Sequence, residues 1–272
     1  MTGAESCAIS IFMQIFKNIS LILRLTKRDV VARYRGSFFG ILWSLITPLV
    51  MLGIYSFVFT VVFQARFGAE TGAKGEFAII LFSGLILHSL LSEILARSPM
   101  AIIENANFVK KVIFPLQILS PVIVLTALFQ FFISFLVLVF GVVIVYGSVS
   151  ATILYMPIVI LPFILMCCGF SYILASLGVY IRDVAHIMGL LITILLFFST
   201  IFYPASALPI YLQWVIYLNP LSFIVDQFRN VVVTGDEILW GWYVLYSFVS
   251  CVIFYFGFWF FQKARRGFAD VL

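Results

Sequence analysis

Charge-free stretches organise the chain, and their lengths set what each can do. Gly36 to Ala65 carries no charge and is interrupted only by Pro48, which predicts a first membrane span over 38–63. Phe77 to Ser92 predicts a second, over 77–96, that runs past Glu93. Val112 to Ile181 holds no charge across 70 residues, too long for one crossing at ~20 residues per span. Its polar break, Tyr146-Gly147-Ser148-Val149-Ser150, divides it into spans over 117–146 and 153–179. Val184 to Tyr203 gives a fifth span (184–203), and Trp240 to Phe261 the last (240–261). Because the apolar runs are continuous rather than alternating, a β-barrel is excluded.

Residues 204–237 between the last two spans follow a different pattern. Two apolar pieces, 208–218 and 221–233, are hinged at Asn219-Pro220. At 1.5 Å per residue each would measure about 16–20 Å, short of a ~30 Å hydrocarbon core. A re-entrant, extracytoplasmic half-helix pair fits better than a seventh span. Irregular backbone survives at membrane depth only against protein or a cavity. Upstream, residues 9–28 read as an amphipathic helix. At 100° per residue, Ser10, Gln14, Lys17, Asn18, Ser20, Arg24, Lys27 and Arg28 share one half of the wheel. Ile11, Phe12, Ile15, Phe16, Ile19, Ile22, Leu23 and Leu25 cover most of the other, and Leu21 breaks the pattern. Such a helix is expected to lie in the membrane interface.

Charge separates six spans from seven. With six, one side collects 13 of the 16 basic residues, leaving only Arg66, Lys74 and Arg229 opposite. Basic residues favour the cytoplasm, so both termini are expected there. A seventh span would send Lys263, Arg265 and Arg266 outside. The expected fold is therefore an all-α polytopic membrane protein with six transmembrane helices, forming a single domain over 1–272. Composition agrees: 64% of residues are apolar, 10% are charged, and mean hydropathy is +1.20. The net charge of +5 is a topology signal first, and no nucleic-acid partner is expected. Glu5 sits too early for a secretory-signal layout.

No catalytic constellation is present. There is no GxxxxGK[ST] loop for ATP, no HExxH and no GxSxG. Cys7, Cys167, Cys168 and Cys251 lack metal-ligand spacing, and none is expected to join a disulfide framework. His88 and Glu93 are five residues apart and point to different helix faces, which disfavours a proton relay. Asp183 could meet His186 three residues on, but a local Arg182–Asp183 ion pair is favoured. Nearly charge-free midplanes argue against an ion-coupled carrier. Aromatic residues make up 18% of the chain. Tyr55, Phe59 and Phe63 stripe one face of the first span at α-helical spacing, as channel-lining aromatics able to stack on sugar rings would. Phe129, Phe132 and Phe135 cluster in the third span, where lipid-facing filling is the simpler account.

Several segments resemble a known family. Lys27-Arg28-Asp29-Val30-Val31-Ala32-Arg33-Tyr34-Arg35-Gly36-Ser37, then Gly40-Ile41-Leu42-Trp43 and Thr47-Pro48, is similar to the N-terminal signature of ABC-2 permeases that export polysaccharides. Asn107-Phe108-Val109-Lys110-Lys111-Val112-Ile113-Phe114-Pro115 resembles their first cytoplasmic loop. Tyr180-Ile181-Arg182-Asp183-Val184, Ile201-Phe202-Tyr203-Pro204 and Leu208-Pro209 resemble the region around their fifth span. Asn219-Pro220-Leu221-Ser222, Asp226-Gln227-Phe228-Arg229 and Gly235 resemble their half-helix pair. Thr200 departs from the family, many of whose members have proline there.

The resemblance implies a homodimeric permease of the bacterial inner membrane. It would pair with two copies of a cytoplasmic ABC ATPase and move a lipid-linked polysaccharide outward, O-antigen foremost, with capsular polysaccharide and teichoic acid as other cargoes. The chain itself would hold no cofactor; ATP and Mg would sit on the partner. Glu104, Asn105, Asn107, Phe108, Lys110 and Lys111 form the expected ATPase-coupling loop. Arg24, Lys27, Arg28, Arg33 and Arg35 are the expected contacts for a lipid diphosphate. Tyr203, Pro204, Asn219 and Pro220 form the expected extracytoplasmic gate. An ion-coupled carrier or channel and an intramembrane glycan-modifying enzyme are the competing classes.

Overall fold

A computed structural model describes residues 18–62, 75–109 and 114–272. The expectations for residues 9–17, Phe63, Lys110 and Lys111 lie outside the described residues, as do those for Arg66, Lys74 and Cys7. The side chains of Phe59 and Phe108 also lie outside them. The described residues contain helices but no strand.

Helix α1 covers Ile19–Tyr34. After a short 3-10 turn at Gly40–Leu42, α2 (Trp43–Ser56) passes directly into a π-helix over Phe57–Val62. Then follow α3 (Glu76–Arg97), the short α4 (Ala106–Val109), α5 (Leu119–Tyr146) and α6 (Met156–Tyr180). After α7 (Val184–Phe197) come two short helices, α8 (Ile210–Leu218) and α9 (Pro220–Arg229), and the long α10 (Trp240–Ala264) with α11 (Phe268–Val271) after it. Among the described residues, four helical stretches are long and apolar enough to cross a membrane: Glu76–Met100, Leu116–Tyr146, Ala151–Tyr180 and Trp240–Gly267. Gly40–Ser56 and Val184–Phe197 are apolar but shorter. The protein is therefore a multi-pass membrane protein.

α6 and α10 meet backbone to backbone. A Cβ at Gly169 would stand 2.6 Å from the Ile253 carbonyl oxygen, and one at Gly257 would overlap the Gly169 carbonyl. Small residues permit this approach, which drives helix association where lipid supplies no hydrophobic force between helices. Tyr172 of α6 is fully buried, its ring 5.4 Å from those of Phe258 and Phe261 on α10. Gly178 brings α6 against the Pro99 carbonyl, where a Cβ would overlap. The Ser98 hydroxyl adds a hydrogen bond to Ser171 at 2.9 Å. The root of the 98–109 loop is thus fixed to α6.

Two elements differ from the sequence expectation. The fifth span was expected over 184–203, but its helix stops at Phe197. There the carbonyls of Leu195 and Phe198 accept hydrogen bonds from the Asn219 amide, and Ser199 folds its hydroxyl onto the Leu196 carbonyl. These side chains satisfy carbonyls that another helical turn would otherwise engage. The second difference is in bounds: of the helix expected over 9–28, the described part, α1, runs on to Tyr34. Its lower part packs Ile22 and Leu25 against Val122 of α5 and Ile118 just before it. Its last residue, Tyr34, donates to Gln130 Oε1 at 3.0 Å. Those contacts are 8–12 residues apart, about 12–18 Å along the helix, so α1 leans along the bundle. Its buried seam is also narrower than half a wheel. Ile19 and Leu23 are exposed, whereas Leu21 packs partly inward.

Candidate functional site

Of the short pair, α9 is buried along most of its length, whereas α8 buries only Ile216. Leu239 N–H donates to Gln227 Oε1, while the Tyr246 hydroxyl donates to the Pro220 carbonyl. Those contacts lie seven residues apart, from Leu239 just before α10 to Tyr246 within it, so the Asn219-Pro220 hinge lies about 10 Å farther along α10 than Gln227. Asn219 is buried and links two helix ends. Its Oδ1 accepts from the Leu221 N–H at 2.9 Å, capping α9, and its Nδ2 donates to Leu195 and Phe198 at 2.9 and 2.7 Å, closing α7. Of the other gate candidates, Tyr203 donates its hydroxyl to the Phe197 carbonyl, Pro220 is half-buried and Pro204 is exposed.

Arg229, counted in sequence only as one of three basic residues opposite the main group, is buried. Its guanidinium donates to the carbonyls of Ile80, Thr200 and Ile201, and more weakly to the Ser83 hydroxyl at 3.4 Å. Asp226 stands 3.8 Å away. One side chain thereby joins α3, the turn after α7, and α9. Phe228 next to it packs edge-on against Phe131 and Phe135 of α5, at 6.1 and 5.9 Å.

At the opposite, basic end of the bundle, α1 and α3 run antiparallel and exchange charges. Arg33 donates to both oxygens of Glu93, once at 3.2 Å. Arg97 donates to Glu93 at 3.2 Å and to Asp29 at 2.6 Å. Burial disfavours the Arg33 charge, but the hydrogen bond and charge of Glu93 outweigh it and hold its pKa above the ordinary guanidinium value. Arg33, expected to meet a substrate diphosphate, thus spends its fork on Glu93. Arg24, Lys27, Arg28 and Arg35 are exposed. The sequence reading did not foresee Asp29, Glu93 and Arg97 as a unit. The signal was available, since acid and base stand four apart in both 29/33 and 93/97.

The other candidates fall as follows. Glu104 and Asn107 are exposed, and Asn105 is half-buried with its amide on the Ala101 carbonyl at 2.9 Å. Tyr55 is half-buried against the core. Below it the helix turns π at Phe57, so the α-helical spacing that aligned Phe59 with Tyr55 no longer applies. His88 bonds the Ile192 carbonyl of α7 at 3.1 Å, away from Glu93. Arg182, Asp183 and His186 are exposed and form no ion pair among the described residues. Gln117, buried at the start of α5, accepts from Gln262 and Arg265 at the end of α10.

Comparison with known proteins adds an independent line. An O-antigen export system permease protein, RfbA, of Myxococcus xanthus is 31% identical over 202 residues, covering 74% of both chains. A protein of the same name from Klebsiella pneumoniae is 26% identical over 256 residues, covering 93% of this chain and 95% of that one. The polysialic acid transport protein KpsM of Escherichia coli is 25% identical over 222 residues, 76% of this chain and 79% of its own. The ABC-2 type transporter profile matches residues 20–233, taking in α1, every helix through α9 and the charged network between α1 and α3. The chain belongs to the ABC-2 type transporter family.

Proposed function

We propose that the chain is the membrane subunit of an ATP-driven exporter that moves lipid-linked polysaccharide, O-antigen foremost, across the bacterial inner membrane. The observation that carries this reading is the near end-to-end similarity to an O-antigen export permease. In this reading two copies form the conduit and two separate ABC subunits bind ATP and Mg. Both termini are cytoplasmic, because the basic end holds α1, the 98–109 loop and Lys263, Arg265 and Arg266. The α8–α9 pair is then extracytoplasmic and re-entrant, which the position of its Asn219 hinge along α10 supports. The 98–109 loop is the ATPase contact, with exposed Glu104 and Asn107 at its surface. The exposed Arg24, Lys27, Arg28 and Arg35 attract the lipid diphosphate, arginine as a fork and lysine as a point charge. Of the aromatic stripe, Tyr55 above the π-turn lines the conduit.

The test is deletion of the reading frame in its host, with complementation. Loss of surface polysaccharide, build-up of lipid-linked glycan on the cytoplasmic side and co-purification of an ABC ATPase with the complementing chain are expected. Normal surface polysaccharide in the deletion strain would overturn the reading.

A further inference from the structure

The charge network between α1 and α3 has features that a simple surface ion pair lacks. Arg33, Glu93, Arg97 and Asp29 alternate in sign and sum to zero. Their side chains are all partly covered, from 19% exposed at Glu93 to 34% at Arg97. Glu93 is shared by two arginines and Arg97 by two carboxylates, so each charge holds the others in place. Networks with such geometry carry coupling where isolated exposed pairs carry almost none. Glu93 also sits one turn up α3 from Arg97, about 6 Å further into the bundle, where a weaker dielectric strengthens each pairing.

The position of the network matters more than its strength. Arg97 is the last residue of α3, and the 98–109 loop begins at the next residue. On the other side, Arg33 adjoins Tyr34, which bonds Gln130; Gln130 in turn donates to the Ser44 carbonyl in the first turn of α2, at 2.9 Å. A mechanical path therefore runs from the loop through α3 to α1, and from the adjoining Tyr34 by way of Gln130 on α5 to the first apolar helix. We infer that Asp29, Arg33, Glu93 and Arg97 form a latch that makes α1 and α2 follow movements of the 98–109 loop. The four are positioning residues that transmit force, and none of them touches cargo. This inference rests on the exporter reading, in which an ATPase pushes on that loop. It also gives Arg33 a task other than phosphate capture.

The experiment uses the full chain co-expressed with its ATPase. Arg33→Gln and Glu93→Gln are made singly and together, along with the fourfold reversal Asp29→Arg, Arg33→Glu, Glu93→Arg, Arg97→Glu. That reversal keeps both the alternation and the net charge. Three quantities are read: export, ATP hydrolysis by the purified complex, and maleimide labelling of a cysteine at the exposed position Val31 on α1. Singles and the double Gln variant should lose tenfold or more in export while hydrolysis stays within twofold, and Val31→Cys labelling should cease to respond to ATP. The fourfold reversal should recover at least half of export and the labelling response.

A reversal no better than the singles would overturn the latch, because a residue-specific role such as phosphate binding by Arg33 cannot survive Arg33→Glu. So would double-Gln export restored to normal, since that is the outcome when only an unpaired charge is harmful. The wild-type control separates the two proposals. If wild type shows neither export nor a bound ATPase, the exporter reading fails, whereas the latch fails only on ratios to a working wild type.

Discussion

Replacing Asn219 tests whether one side chain holds two helices together. Asn219→Ala removes the α9 cap, worth about 1 kcal/mol, and two amide donations to the end of α7. Each of those donations contributes about 0.6–1.5 kcal/mol in a membrane protein. The sum is about 2–4 kcal/mol, which for a chain of this size lowers the unfolding midpoint by about 5–15 °C. Asn219→Asp is the sharper probe. It keeps the cap oxygen but faces the Leu195 and Phe198 carbonyls with a carboxylate, at the negative end of the α7 dipole. The expected order of stability is Asn above Ala above Asp, measured by thermal aggregation of detergent-purified protein. Labelling of Tyr217→Cys on α8 should rise in the same order as stability falls. Since Asp caps helices as well as Asn does, an Asp variant as stable as wild type would refute the double-link account.

Three further expectations concern separate positions. Gly178→Ala drives a methyl into the Pro99 carbonyl and should cost about 3 kcal/mol, whereas Gly241→Ala, with open space around it, should be neutral in the same thermal assay. Arg229→Lys keeps the charge but loses the fork that reaches three carbonyls. It should lower stability by about 2 kcal/mol, and Arg229→Met by more; equal stability of all three would show that the charge is not held as described. Phe108→Ala should leave the chain inserted and folded yet loosen the ATPase, seen as weaker co-purification and reduced export.

Much of the fold was legible because apolar length and basic-residue asymmetry act over whole segments. The polar break at Tyr146 to Ser150 falls between α5 and α6, and the Asn219-Pro220 hinge falls between α8 and α9. What escaped was whatever depends on a distant partner. The end of α7 is set by Asn219, 24 residues from the Leu195 carbonyl that it satisfies. Arg33 meets Glu93 across 60 residues of sequence, so reading α1 alone left its guanidinium free for phosphate. Arg229 was counted only as one basic residue opposite the main group, because a tally cannot see three carbonyls converging from α3 and the turn after α7. The π-turn at Phe57 has no residue signature that distinguishes it from the α-helix before it.

The brevity of α7 changes the barrier the membrane presents. Its 14 residues measure about 21 Å, some 9 Å less than a typical hydrocarbon core. Lipid beside a short helix thins to match it, at a small cost per ångström. α8, exposed along Ile210, Tyr211, Trp214 and Tyr217, carries amphipathic rings of the kind that settle at headgroup level. Where α7 serves as a crossing in the exporter reading, the bilayer beside it is expected to thin, and a hydrophilic chain passing there would meet a dry zone about two-thirds as thick as the surrounding membrane.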